Sequence, residues 1–194
     1  MIRLLSYNIR HGGSGREAAL AAVIRAAAPD LVVLQEATRP EVVERLAGET
    51  GMAAWGSRRG ESLAYLSRAP VAEAAWHRPR VSRHAFVEIV PQDGGWRVFG
   101  VHLSAVHAAW TERRRAYELR ALLVAIQQHQ HGAHALVGDF NTLAPGELLD
   151  PRRLPARLRA LPAADPPFEV RVSERLQALH RRVAERVAGE GDTA

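Results

Sequence analysis

Apolar residues in the first third of the chain follow two alternating spacings, one typical of strands and one typical of helices. The runs at residues 2–9 and 30–36 are short, mostly apolar and bounded by polar or turn residues, which predicts two strands. After each run, apolar residues recur every three or four positions, which predicts helices beginning near Ser14 and Thr38. Each of these residues stands three positions before a glutamate, the spacing of a capping box. The predicted order is β-α-β-α.

The middle of the chain has the pattern of an antiparallel sheet. Strand-like runs occupy residues 62–68, 71–77, 84–90 and 96–104, separated by prolines and by an Asp-Gly-Gly turn at residues 93–95. We expect these runs to pair with their neighbours in sequence as a meander.

The last part of the chain is mostly helical. Residues 110–131 predict a helix that turns four apolar residues inward and three arginines outward, namely Leu119, Leu122, Leu123 and Ile126 against Arg113, Arg114 and Arg120. Residues 133–140 predict one more strand. Beyond it we expect a basic helix at 151–161, a proline-rich stretch at 161–167 and an amphipathic helix that begins at Ser173. We therefore predict one domain over residues 1–161, followed by a linker and helix over 162–194.

The composition limits the chemistry available to the chain. Its 194 residues contain no cysteine, so disulfides and thiolate metal sites are excluded and any metal must be bound through oxygen or imidazole. The formal charge of +5 would suit an anionic partner such as nucleic acid. All 26 basic residues are arginine, however, in a chain rich in Ala, Gly and Pro, which a GC-rich coding sequence produces without selection for binding.

Two further features of the sequence bear on its location. No run approaches the roughly 20 apolar residues that a membrane span needs. The N-terminal residues also lack the long apolar stretch and cleavage site of a signal peptide. We expect no transmembrane segment and a cytoplasmic location.

Polar side chains stand at the ends of four predicted strands. Asn8, Glu36 and His102 each close an apolar run, and Asp139 and Asn141 close the last one in the sequence GDFNT. If these strands share a sheet region, their polar ends meet at one edge, where α/β proteins bind ligands. Each residue also has a simpler interpretation. Asn8 and Asp139 suit turns, Glu36 suits the start of the following helix, and a lone histidine is often half-buried with a backbone partner.

Six short motifs occur in a fixed order over residues 1–145. They are SYNIRHG, DLVVLQE, LAYLSRAPV, VHLS, the arginine and glutamate of RAYE, and GDFNT. This ordered set resembles the endonuclease/exonuclease/phosphatase superfamily, the metal-dependent phosphodiesterases related to DNase I. The resemblance implies an α/β fold of the DNase I-like type, a four-layer α-β-β-α sandwich in which two mixed sheets face each other between outer helices.

The resemblance also implies roles for the strand-end residues. Asn8 and Glu36 would hold a divalent cation, Mg²⁺ or Mn²⁺, and His102 would lie against the scissile phosphate. Asp139 and Asn141 would orient the attacking water and the phosphate. Mg²⁺ keeps several waters and takes only one or two carboxylates, so a single glutamate with an amide is a suitable donor set. The expected activity is metal-dependent hydrolysis of a phosphodiester, with nucleic acid as one candidate substrate.

The sequence departs from the family pattern in two places. Arg10 stands where DNA-lesion-reading members often have an aspartate, which disfavours that subgroup. The terminal Ser-Asp-His signature has no match after Asn141, and the helical pattern there leaves the second sheet short of strands. An impaired hydrolase is therefore expected. The alternative is a non-catalytic or partner-completed remnant that acts as a binding protein, and an incomplete sheet would favour self-association.

Overall fold

The computed structural model describes most of the N-terminal two thirds of the chain, over residues 2–80, 82–92, 95–104, 109–129 and 133–141. The chain divides into two units. The first contains Met1–His102 and His131–Phe140, and the second contains Leu103–Gln130 and Asn141–Ala194. The predicted helices at 151–161 and after Ser173, and the predicted domain boundary at residue 161, lie outside the described residues.

The first sheet of the first unit contains four strands in the order β1-β2-β4-β3. They are β1 (Leu4–Asn8), β2 (Leu31–Gln35), β3 (Ala54–Ser57) and β4 (Leu63–Ser67). β1 and β2 run parallel, whereas β4 runs antiparallel to both of its neighbours. Every residue of β2 and β4 is buried, as expected for central strands that are covered on both faces.

The second sheet contains β5 (Val71–His77), β6 (Phe86–Pro91), β7 (Trp96–His102) and β8 (Ala133–Asp139), in that order. The first three are antiparallel, and β8 is parallel to β7. The predicted meander is therefore correct only for β5 to β7. The run at residues 62–68 instead joins the first sheet as β4, where it pairs with β2 and β3. The predicted turn residues Asp93 and Gly94 lie outside the described residues.

The two sheets of the first unit pack face to face. Side chains alternate along a strand, so β2 divides its residues between two cores. Val33 points into the core between the sheets with Tyr65, Val87 and Ile89. Val32 and Leu34 point to the opposite face, into the core formed with α1 (Glu17–Ala27) and α2 (Pro40–Thr50). The predicted α/β class with two mixed sheets face to face is confirmed.

Both predicted capping boxes are wrong. α1 begins at Glu17 and α2 at Pro40, and within the described residues neither helix start has a side-chain capping bond from its N-cap residue. The Ser14 hydroxyl instead accepts a hydrogen bond from Arg39 Nη1 at 2.7 Å. Gly15 then takes a positive φ of 76°, which delays the helix beyond the predicted cap. The Ser14 hydroxyl therefore bonds to the Arg39 guanidinium and not to a backbone N–H at the start of α1.

The described part of the second unit contains one helix, α3 (Ala109–His129). The four predicted inward residues Leu119, Leu122, Leu123 and Ile126 are buried, and Arg113, Arg114 and Arg120 are exposed. This prediction is confirmed. Among the described residues, no helix is long and apolar enough to cross a membrane.

Candidate active site

Two parallel strand pairs, one from each sheet of the first unit, carry four of the five predicted site residues at their ends. The register of β1 and β2 pairs Asn8 with Gln35, which leaves Glu36 one residue beyond the pair. The register of β7 and β8 pairs His102 with Asp139. The carboxyl ends of parallel strands are the usual place for ligand-binding side chains in α/β proteins.

Asn8 connects the two sheets through a single nitrogen. Its Nδ2 donates to Glu36 Oε1 at 3.1 Å and to Asp139 Oδ2 at 2.9 Å. Its Oδ1 accepts a hydrogen bond from the backbone N–H of Arg10 at 2.9 Å, which fixes the amide in this orientation. Asn8, Glu36 and Asp139, which lie far apart in the sequence, are thereby brought together.

Glu36 is held as a carboxylate by the donors around it. The backbone N–H of His11 donates to Oε2 at 2.7 Å, and the exposed His11 ring lies 3.8 Å from the same oxygen. Burial opposes ionisation, but the His11 and Asn8 hydrogen bonds and the nearby His11 and His102 rings outweigh it and lower the pKa of Glu36. The site therefore contains a carboxylate that stays charged at neutral pH.

Backbone strain marks the ends of β1 and β2. Arg10, His11 and Glu36 have positive φ angles of 49°, 51° and 56°, a conformation that non-glycine residues seldom adopt. Such strain typically costs about 1–3 kcal/mol per residue and tends to cluster at functional sites. The same turn aims the His11 N–H at Glu36, so the strained backbone supplies a donor to the carboxylate.

Gly138 explains how Asp139 comes to lie beside His102. A Cβ at this position would collide with the backbone carbonyl of Val101 in β7, and its φ of 149° disfavours other residues. Glycine thus allows β8 to approach β7 closely at the residue before Asp139. The glycine of the GDFNT motif is therefore required by the packing of the strand pair.

His102 contacts two residues that sequence reasoning missed. Ser62 Oγ lies 2.6 Å from His102 Nδ1, and the His84 ring stacks on the His102 ring with centroids 4.8 Å apart and planes 5° apart. Ser62 and His84 stand just before β4 and β6, each of which runs antiparallel to a site strand. The amino ends of such strands lie at the same edge as the carboxyl ends of their neighbours. The sequence signal that could have identified Ser62 and His84 is a polar residue just before a predicted strand.

Asn141, the fifth predicted residue, belongs to the second unit. There its side-chain Nδ2 donates to the backbone carbonyl of Leu103 at 2.8 Å. Its backbone has a positive φ of 51°. The other four predicted residues all lie in the first unit.

The donor set of this edge suits a hard cation. Glu36 and Asp139 each place a carboxylate oxygen within hydrogen-bond distance of the Asn8 nitrogen, so both oxygens face one point. Within the described ranges, no three His, Cys, Asp or Glu side chains gather as a metal cluster. Mg²⁺ needs only one or two carboxylates together with water. Asn8 could add its oxygen only if the amide turned over, because that oxygen now accepts from Arg10.

Comparison with protein families gives one match that covers most of the chain. The model of the Endonuclease/Exonuclease/phosphatase family matches residues 5–181, beyond both the last sequence motif and the predicted boundary at residue 161. No curated protein sequence matches the chain significantly.

Several solved structures are similar in fold. D. rerio TDP2 complexed with single strand DNA product has 21% identity and a TM-score of 0.59, over 84% of this chain and 66% of its own. The 3' phosphatase NExo from Neisseria, bound to product DNA hairpin, has 18% identity and a TM-score of 0.55, over 76% and 60% of the two chains. An endonuclease/exonuclease/phosphatase from Beutenbergia cavernae has 22% identity and a TM-score of 0.56, over 73% and 48%. The chain thus spans less than two thirds of the length of each of these proteins.

Proposed function

Because the chain belongs to the endonuclease/exonuclease/phosphatase family, whose members are hydrolytic nucleases and phosphatases, we propose that it is a divalent-metal-dependent phosphodiesterase. One observation carries this proposal. The Asn8 nitrogen lies within hydrogen-bond distance of two carboxylates, one from each sheet, at the strand ends where the family motifs fall. Two carboxylates that share one donor form a place that a divalent cation could take.

We assign the cation to Glu36, with Asn8 as a second ligand through its amide oxygen once the amide has turned over to present that oxygen instead of its nitrogen. Mg²⁺ or Mn²⁺ would supply Lewis-acid polarisation of the phosphoryl oxygen. The lowered pKa of Glu36 supports this assignment, because the group stays anionic at the pH at which such enzymes act. The strained turn after β1 keeps the His11 N–H on Oε2 and so fixes the direction of the carboxylate.

The remaining residues are assigned to water and phosphate. Asp139 accepts a proton from the attacking water. His102, which pairs with Asp139 in the strand register, presents its ring to the scissile phosphate. Asn141 is assigned to the phosphate on the strength of the GDFNT motif.

The test is hydrolysis of bis(p-nitrophenyl) phosphate and of supercoiled plasmid DNA by the purified chain, in Mg²⁺, Mn²⁺ or EDTA. We expect turnover that EDTA removes. Asp139→Asn should lower kcat by about 10²- to 10⁴-fold, the contribution of a positioned general base. Asp30→Asn is the matched control, because Asp30 is a half-buried carboxylate before β2, at the other end of that strand from Glu36. Hydrolysis unaffected by EDTA and by Asp139→Asn would contradict the proposal.

A second candidate function is favoured by one sequence observation. No Ser-Asp-His stands between residues 142 and 194, so the chain could be a binding or partner-completed member of the family. Binding of Mn²⁺ or DNA without turnover in the same assay would select this alternative. The DNA product bound to D. rerio TDP2 and the DNA hairpin bound to NExo make nucleic acid the first natural substrate to test. Self-association and a cytoplasmic location stay predictions.

A further inference from the structure

His102 is supported on two sides by residues from two different loops of the first unit. Ser62 closes the loop between β3 and β4, and its Oγ lies 2.6 Å from His102 Nδ1. His84 lies in the loop between β5 and β6, and its ring stacks parallel to the His102 ring at 4.8 Å. The hydrogen bond acts at one ring nitrogen and the stack acts on the ring plane, so the two contacts constrain different motions of the same side chain.

Arg78 links the two loops. Its Nη2 donates to both carboxylate oxygens of Glu61, at 2.7 and 2.8 Å, and its Nη1 donates to the backbone carbonyl of Arg83 at 2.7 Å. Glu61 directly precedes Ser62, and Arg83 directly precedes His84. The guanidinium therefore connects the two supports of His102, through a charge-assisted contact on one side and a backbone contact on the other.

We propose that Ser62 and His84 are positioning residues that set the tautomer and the plane of the His102 ring for phosphoester hydrolysis. The proposal rests on the proposed function of His102 at the phosphate. A hydroxyl can donate to Nδ1 or accept from it, so the role of Ser62 is tied to the tautomer of the ring and to whether Nε2 donates or accepts. If the Ser62 hydroxyl donates, Nε2 carries the proton and can donate to a phosphate oxygen. Stacking on His84 resists rotation of the ring away from that direction.

The contact with Ser62 restricts the orientation of the His102 ring. Ser62 is 5% exposed and His102 is half-buried, so little water competes for the Ser62 hydroxyl. A side chain that acts on substrate is effective only when packing and hydrogen bonds to neighbouring residues lock its own conformation. Loosening the ring should therefore reduce turnover more than it reduces substrate binding.

The first test reads the His102 ring directly and needs no activity. Long-range ¹H–¹⁵N spectra of the full chain report the tautomer of each histidine, and the signal that His102→Gln removes is that of His102. We expect one dominant tautomer in the unaltered protein and a changed Nδ1 and Nε2 pattern in Ser62→Ala. Ser62→Thr keeps the hydroxyl and should keep the original pattern.

The second test is kinetic, with bis(p-nitrophenyl) phosphate and Mn²⁺. Ser62→Ala should lower kcat about 10- to 100-fold, part of the 10²–10⁴ that a positioned histidine supplies, with KM changed by less than about threefold. Ser62→Thr should recover most of that loss. His84→Ala should lower kcat, whereas His84→Phe, which keeps a planar ring, should retain it. Arg78→Ala should act in the same direction, and the exposed Arg80→Ala of the same loop is the control.

The outcomes separate this inference from the proposed function. If the unaltered protein hydrolyses nothing with any divalent cation, the proposed function fails, and the ¹⁵N pattern of Ser62→Ala alone decides whether Ser62 positions the ring. If the protein is active and Ser62→Ala and His84→Ala leave kcat unchanged, the positioning role is wrong even where the ¹⁵N pattern shifts. Thermal melting of each variant identifies any that fails to fold, and Ser62→Thr and His84→Phe then carry the comparison.

Discussion

Replacing Asn8 by alanine should uncouple the ends of the two sheets. The side-chain nitrogen is the common donor to Glu36 and Asp139, so Asn8→Ala leaves two carboxylates facing each other without it. A hydrogen bond to a charged acceptor contributes about 1.5–3 kcal/mol when buried. Asn8 is half-buried, so water replaces part of each bond and the low end of this range applies. We expect the free energy of unfolding to fall by about 2–3 kcal/mol.

The assay is thermal unfolding followed by circular dichroism in EDTA. For a chain of this size, each kcal/mol corresponds to roughly 2–4 °C, so the loss should lower Tm by about 4–12 °C. The comparison variant is Asn141→Ala, which removes the hydrogen bond from the side-chain amide to the neutral carbonyl of Leu103, a bond that contributes about 0.5–1.5 kcal/mol.

A double-mutant cycle isolates the bond that crosses between the sheets. Combining Asn8→Ala with Asp139→Asn should give a coupling of about 1 kcal/mol or more, because the two side chains are in direct contact. A Tm for Asn8→Ala within about 1 °C of the unaltered protein, with no coupling in the cycle, would refute the inference that this amide holds the two sheets together at the site.

Three further outcomes can be measured on the same protein. Because folding lowers the pKa of Glu36, its contribution to stability is present above its ordinary value of 4.5 and is lost as the pH falls through the lower folded value, so Glu36→Gln should flatten the acid side of a Tm–pH profile. Gly138→Ala should lower Tm by about 6–12 °C, on the order of 3 kcal/mol, because its Cβ would collide with Val101. Gly48 lies in α2 and an added Cβ there would contact no atom within 4 Å, so Gly48→Ala should raise the free energy of unfolding by about 0.5–1 kcal/mol. A lower free energy of unfolding in this variant would contradict the open space at this position.

Sequence patterns predicted the elements whose signals are local. β1, β2, β8 and α3 each combine a clear apolar period with a turn or glycine, and the structure has them within a few residues of the predicted bounds. Asn8, Glu36, His102 and Asp139 were predicted as polar residues at strand ends, and the structure has all four at or just beyond the carboxyl ends of strands that pair in parallel. A polar residue at the end of an apolar run can be read from a single segment, whereas parallel pairing cannot.

The features that were missed depend on pairing between distant segments. Residues 62–68 are followed closely by another strand, yet β4 pairs with β2 and β3, partners that the segment itself does not reveal. Ser62 and His84 could not be recognised until that pairing was known, since a residue before a strand reaches the site only when the strand is antiparallel. The failed capping box at Ser14 has the same cause, a distant arginine that takes the hydroxyl.

The contact between Asn8 and Asp139 joins residues 131 positions apart and so also sets the order in which the site can form during synthesis. A growing chain releases Asn8, Glu36 and His102 from the ribosome while β8 is still inside it. The carboxylate assigned to the water therefore arrives last, after the rest of the first unit has had time to pair. Closing such a long loop is entropically costly and slow. Formation of the contact between Asn8 and Asp139 would then report that the first unit has finished pairing, because every earlier intermediate lacks one side of that contact.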